Sequence, residues 1–514
     1  MFSGLTAFSR RWYCGVTRRI LFDARQHPKT NDLIVKYVTD VLSTTNQVTR
    51  MGHALALGVL PKFMLQPNLN NIIFSLIEST IITPATVKWA ESRRDAVKAL
   101  TSICATMASD IGQSFTEAHA LKIYHTFLEG LNDYTQDKRG DIGAWMREGS
   151  VTGLQTLTLL LTKHLPEILT QDLTNRILSG IAQQAVEKST VPWALAGKVF
   201  YSFIYNNPPI PNISHYHELS LIFPKDECDM LNWNSASSTF PKFVQLISLP
   251  PYTYNVMLGL ICSKKSSHSL FTFLKSEIKS KGIVEIRKMC DVTYKIFSDH
   301  QKNDRITIPM FRFLDKLFDS GCLNLIIEDK DSDFIRKILK LIQMEIAGCK
   351  DIYKLIDGIN VLCQFIQIPD VLLLFLLQNA LGPCLCGDAA DSIAQQQFHV
   401  SQFKSHYLAS SSTLIFFLGR VSIKGEVCDI ALVQLSILLC HRQSYVRRST
   451  STKLYESLLV NGDSSNIKPE NLDDVMQVLS NTNWEDTVEQ VKPIRNELCK
   501  LMGTRIPVPM KKKT

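Results

Sequence analysis

From about Val48 onward, apolar residues recur every three or four positions with few interruptions. Leu69, Ile72, Ile73, Leu76 and Ile77 keep that spacing, and so do Leu173, Ile177 and Ile181. This period places a stripe of side chains along one face of an α-helix. Alternating apolar stretches bounded by turn residues, the mark of strands, are hard to find. A chain of one-faced helices without a sheet must bury helix against helix, so the expected fold class is all-α.

The helices also repeat. In SRRDAVKAL, Arg93 is followed three residues later by Ala96 and seven later by Leu100; in MREGSVTGL, Arg147 is followed likewise by Ser150 and Leu154; in VRRSTSTKL, Arg447 is followed by Thr450 and Leu454. Offsets of three and seven share one helix face. The small residue lets a neighbouring helix approach and the leucine fills the core. Asp141 precedes Arg147 by six residues, an Asp–Arg pair like that of a HEAT repeat, with the acid in the turn and the arginine one turn inside the second helix. Arg93 and Arg447 have no acid at that distance. The expected architecture is a HEAT/armadillo-like helical-repeat solenoid with degenerate repeats.

That pair sits in DYTQDKRGDIGAWMREGSV, Asp133 to Val151, which also holds an RGD triplet at Arg139 to Asp141. An adhesion motif needs an extracellular setting, whereas the thirteen cysteines are scattered singly with no CxxC pair. Cys104, Cys262, Cys363 and Cys440 fall inside apolar helical patterns and read as small hydrophobes. A reducing compartment without a disulfide framework is expected, so RGD reads as a repeat turn. Trp145 is expected to cap an inter-helix groove, with partner contact as the alternative.

The net charge of +8 is spread thinly over 514 residues. It favours an acidic partner and gives no argument for nucleic acid. The longest apolar run, VLLLFLL from Val371 to Leu377, is far short of the roughly 20 residues that span a bilayer, so a soluble protein without membrane insertion is expected. The first 25 residues carry Arg10, Arg11, Arg18, Arg19 and Arg25 against Asp23 alone. That composition fits a basic terminus, with a mitochondrial transit peptide as the alternative.

Two stretches break the pattern. Seven of the twenty prolines lie between Pro208 and Pro251, where a long irregular excursion or a shift in the solenoid's axis is expected. Asp370 to Lys424 joins an apolar run to a polar one and reads as an insert of unknown fold. The expected organisation is a basic segment 1–34, helical repeats 35–207, the proline-rich segment 208–255, helical repeats 256–369, the insert 370–424, helical repeats 425–503 and a basic tail 504–514.

The sequence contains no P-loop, GxGxxG, GxSxG or HExxH. His215 and His217 form an HxH with no further ligand at metal spacing, and Asp473–Asp474 and Glu328–Asp329 read as a helix start and a solvated loop. No catalytic, cofactor-binding or metal-binding residue is assigned, and the chain is not read as an enzyme.

RMGHALALGVLP (Arg50 to Pro61), AESRRDAVKAL and the Asp133–Val151 stretch together resemble the tubulin-folding cofactor D family. The likeness continues through PPIPNISHYHEL, LNWNSASSTFPKFVQLISLPPYTYNVMLGL and RITIPMFRFLDKLFDSGC, then LSILLCHRQSYVRRSTSTKLYESLL and VLSNTNWEDTVEQVKPIRNELCKLMG. It covers roughly residues 35 to 370 and 425 to 503, and the chain looks like the C-terminal half of such proteins. The resemblance implies a helical-repeat scaffold that captures β-tubulin. It would work with cofactors C and E and a small Arf-like GTPase to build or take apart the αβ-tubulin heterodimer, in the cytoplasm and in association with the cytoskeleton. Partner contacts are expected at Lys138, Arg139, Trp145, Trp233 and Tyr252, and structural repeat roles at Arg93, Asp141, Arg147 and Arg447. A HEAT adaptor that docks cofactors or a centrosomal partner without holding tubulin is one alternative. The other is a GTPase activator using Arg139 as a finger.

Overall fold

The computed structural model describes residues 30–362 and 425–507, apart from 188–189, 264–266, 279–281, 325, 327–332, 348, 350, 352–353, 355–356 and 359. The insert 370–424, with Cys384 and Cys386, and the first 29 residues lie outside the described residues. The described residues are overwhelmingly helical and divide after Leu274 into two compact units.

The longer helices of the first unit begin with α1 (Thr30–Ser43), α2 (Gln47–Gly58), α3 (Leu69–Thr80) and α4 (Ala90–Thr106). They continue with α5 (Glu117–Gly130), α6 (Ala144–His164), α7 (Gln171–Ala185) and α8 (Thr190–Ile204). Three of these starts are written locally. Asn46 accepts hydrogen bonds from the amides of Val48 and Thr49 at 2.9 and 3.2 Å, Thr116 and His119 close a capping box before α5, and Thr170 caps α7 through the Leu173 amide.

Consecutive helices pair: α1 with α2, α3 with α4, α5 with α6 and α7 with α8. The first members of each pair then pack on one another in order, and so do the second members. This is the two-layer stacking of a helical-repeat solenoid. The sequence stripes fill the space between layers: Ile72, Ile73, Leu76, Ile177 and Ile181 are buried, each contributing about 1.5–3 kcal/mol of apolar burial. The small-residue positions Ala96 and Ser150, and Leu100 and Leu154 four residues on, are wholly buried. Gly58 of α2 allows the closest approach, because a Cβ there would lie 2.6 Å from the Ala99 Cα.

The proline-rich segment is folded rather than irregular. It holds the short helices α9 (Tyr216–Ile222), α10 (Lys225–Asp229) and α11 (Ala236–Phe243), then α12 (Thr253–Cys262), which packs on α7. Pro224 caps α10, while Pro241 lies inside α11. Phe200, Phe223, Phe243 and Tyr252 form a mutually tilted aromatic cluster with ring centroids 5.0 to 6.1 Å apart.

In the second unit, α13 (Ile283–Asp299) packs on α14 (Asp304–Asp319) and α15 (Asp333–Ile346). After the insert come α16 (Glu426–Leu438), α17 (Ser444–Asn461), α18 (Pro469–Asn481) and α19 (Val488–Leu501). Each packs on the next, and α19 returns to α16. All described cysteines are free thiols, and burial pushes the Cys104 thiol up to about 12. Among the described residues no helix is long and apolar enough to cross a membrane.

Candidate partner-binding site

The turns inside the helix pairs lie along one edge of the first unit, and the longest joins α5 to α6. It contains the strands found among the described residues: β1 (Gln136–Asp137) pairs antiparallel with β2 (Gly140–Asp141), Asp137 opposite Gly140. Gly140 has φ +101°, the left-handed region a two-residue hairpin demands. The RGD triplet is thus the second half of a hairpin.

Beneath the hairpin runs a relay of buried polar groups. The guanidinium of Arg93, 1% exposed, donates from Nε to Asp133 Oδ2 at 2.8 Å and from Nη1 to the carbonyls of Thr86 and Val87 at 2.9 and 3.2 Å. The other oxygen of Asp133 accepts from the Thr135 amide and hydroxyl at 3.1 and 2.7 Å. The Asp133 carbonyl accepts from Arg147 Nη1 at 2.7 Å, and Arg147 forks onto both oxygens of Asp141 at 3.1 and 2.7 Å. Arg147 also lies 4.6 Å over the Tyr134 ring, whose hydroxyl donates to Glu187. Gln183 donates to the Tyr134 hydroxyl at 2.8 Å and accepts from Asn255 of α12 at 3.0 Å.

The structural roles expected for Arg93, Asp141 and Arg147 therefore meet in one network. Arg93 takes its acid from the next repeat's turn, 40 residues on, rather than from its own. Arg447 of α17 also reaches the following turn, but through backbone: it donates to the Trp484 carbonyl at 2.9 Å, the Glu485 carbonyl at 3.2 Å and the Asp486 carbonyl. Asp133, Tyr134 and Glu187 were not singled out from the sequence. Their partners lie a whole repeat away, and no local spacing marks them.

Above the relay the hairpin presents its tip. Lys138 and Arg139 are exposed. Arg139 is nevertheless held, donating to Glu91 at 2.6 Å and to Asp137 at 2.9 Å while lying 5.1 Å over the Trp145 ring. The Arg139 hydrogen bond holds the Asp137 carboxyl below the usual carboxylate range, and Asp137 in turn raises the Arg139 guanidinium. Trp145 is half-buried against this arginine rather than sealed in a core. The neighbouring turn, between α3 and α4, adds exposed Ile81, Ile82 and Lys88.

Trp233 and Tyr252 do not belong to this surface, and for them the expectation of partner contact is corrected. Trp233 is 8% exposed, its carbonyl accepts from Trp193 Nε1 at 3.2 Å, and its ring seats against Gly197. Tyr252 is fully buried, donates to the Ser214 carbonyl at 3.1 Å and packs on Phe200. The prolines that suggested a surface loop instead frame a core.

Comparison with known proteins fits this architecture. Residues 175–354, from α7 into α15 and the residues after it, match the family model described as tubulin folding cofactor D C terminal. The chain is also 23% identical to tubulin-specific chaperone D of Dictyostelium discoideum over 387 residues. That match covers 65% of this chain and 26% of the Dictyostelium protein, so it spans about a quarter of that relative's length. Both comparisons make the chain similar to tubulin folding cofactor D.

Proposed function

We propose that this chain is a tubulin-chaperone scaffold that holds β-tubulin while other tubulin cofactors and a small Arf-like GTPase assemble or dismantle the αβ heterodimer. The similarity of residues 175–354 to the cofactor D C-terminal region carries this reading. A stack of helix pairs suits it, because such stacks offer extended surfaces for large folded partners. The contact edge proposed here is the row of turns bearing Ile81, Ile82, Lys88, Lys138 and Trp145. Its cations favour an acidic partner such as tubulin and make binding salt-sensitive. On this reading the chain works in the cytoplasm, on the cytoskeleton's building blocks.

Arg139 has little freedom to act as a GTPase finger while Glu91, Asp137 and Trp145 hold it. Purified chain mixed with tubulin, with and without the other cofactors, tests the reading through complex formation and GTP turnover. A complex without turnover by the chain alone is expected, and Lys88→Glu with Lys138→Glu weakens it without lowering the melting temperature. Turnover by the chain alone that Arg139→Ala abolishes would replace the scaffold with an activator. Absence of a complex under every condition would leave only an adaptor.

A further inference from the structure

The turn between α3 and α4 carries a feature the scaffold reading does not use. Thr83–Pro84 is the one Ser/Thr–Pro dipeptide in the 514 residues. It lies in an uninterrupted exposed run, Ile81 to Ala85. The Thr83 hydroxyl is engaged within its own turn: it lies 2.8 Å from the Thr86 hydroxyl and accepts from the Thr86 amide at 3.3 Å. No buried network has to break for the hydroxyl to be reached. On the inner side of the same turn, Arg93 clamps the carbonyls of Thr86 and Val87, so the backbone that presents Thr83 is fixed.

We propose that Thr83 is a phosphorylation site for a proline-directed protein kinase, and that the phosphate weakens capture of the acidic partner at this edge. In the transfer, Thr83 Oγ1 attacks the γ-phosphorus of ATP. The new O–P bond forms as the bond to the β,γ-bridging oxygen breaks, ADP leaves with that electron pair, and the hydroxyl proton passes to the kinase's base. The product adds about −1.5 to −2 charges at pH 7 to a turn whose own exposed cation is Lys88. Because Arg93 holds the turn from below, the phosphate changes the charge of the edge and leaves its shape alone. The effect on binding rests on the scaffold reading; the site itself does not.

The full chain is incubated with ATP and a purified proline-directed kinase, and the product is read by intact mass and fragment mapping. The expected result is one phosphate on Thr83, absent from Thr83→Val and from Pro84→Ala, both of which melt like the parent. Tubulin binding then falls about five-fold, the scale of one or two exposed ion pairs, and the difference shrinks as salt rises. No phosphate on the folded chain, or one that Thr83→Val still accepts, overturns the site. Equal tubulin binding before and after modification overturns the switch. If the unmodified chain fails to bind tubulin, the scaffold reading falls while the mapping still decides Thr83.

Discussion

Asp133→Ala tests the relay most directly. The carboxylate is 4% exposed and faces a guanidinium that is 1% exposed. Removing it leaves Arg93 as a buried cation that keeps carbonyl partners but loses its counter-charge. Breaking one side of a buried ion pair costs about 3–5 kcal/mol. The Thr135 amide and hydroxyl lose their acceptor as well, which keeps the estimate from falling below that range. At roughly 2–4 °C per kcal/mol for a domain of this size, the melting temperature of the first unit drops by about 6–20 °C. Arg139→Ala is the contrast. Its side chain is 44% exposed, so its loss costs at most about 1 kcal/mol per pair. Replacing both partners, Arg93→Met with Asp133→Leu, removes the unpaired charge and recovers much of the loss. Melting by far-UV circular dichroism on the parent, Asp133→Ala, Arg93→Met, Asp133→Leu and the double variant supplies the cycle. An Asp133→Ala melt within a degree of the parent, or single losses that simply add in the double variant, refutes the reasoning.

Trp233→Ala leaves a cavity against Gly197 and Tyr201 and costs about 3–5 kcal/mol, visible as an earlier melt with lost helicity rather than as weaker tubulin capture by an intact fold. Arg447→Lys keeps the charge but cannot span the three carbonyls of the α18–α19 turn; a loss of about 1–3 kcal/mol in denaturant unfolding of the second unit is expected. His53 is buried, stacks on Tyr37 at 5.0 Å, and burial holds its imidazole below the usual value. Since the unfolded chain binds that proton more readily, stability is fully present above about pH 6.5 and declines as pH falls toward the folded value; His53→Gln flattens that part of the urea-midpoint profile.

The fold was largely legible because its determinants are local. The three-and-seven spacing after Arg93 and Arg147 placed a small residue and a leucine on one helix face, and all four are buried. The turn arginines were legible as structural for the same reason. Their partners were not, because Asp133 is 40 positions from Arg93 and a spacing rule carries no information about which turn stacks above. The proline-rich segment misled for a different reason. Proline marks where a helix cannot continue, and it says nothing about whether the pieces between are buried. The denser signal was the aromatic content around those prolines, Phe223, Trp233, Phe240, Phe243 and Tyr252, which is more than a solvated loop of that length has use for.

The relay and the exposed edge belong to one physical arrangement. Capturing a folded partner costs the entropy of every side chain and loop that must be ordered on contact. In the first unit the turns are already ordered from beneath: Arg93 holds the α3–α4 turn and Asp133 together, Arg147 ties Asp133 to the hairpin through Asp141, and Tyr134 passes the connection to Glu187 in the turn after α7. Lys138 and Trp145 therefore stand on a backbone whose freedom has already been removed. On the proposed reading, a relay variant that still folds should then lose partner affinity although the relay lies beneath the exposed edge. Charge reversal at Lys138 should lose it with the melt unchanged. If both kinds of variant bound equally well, the ordered edge would be architecture without a role in capture.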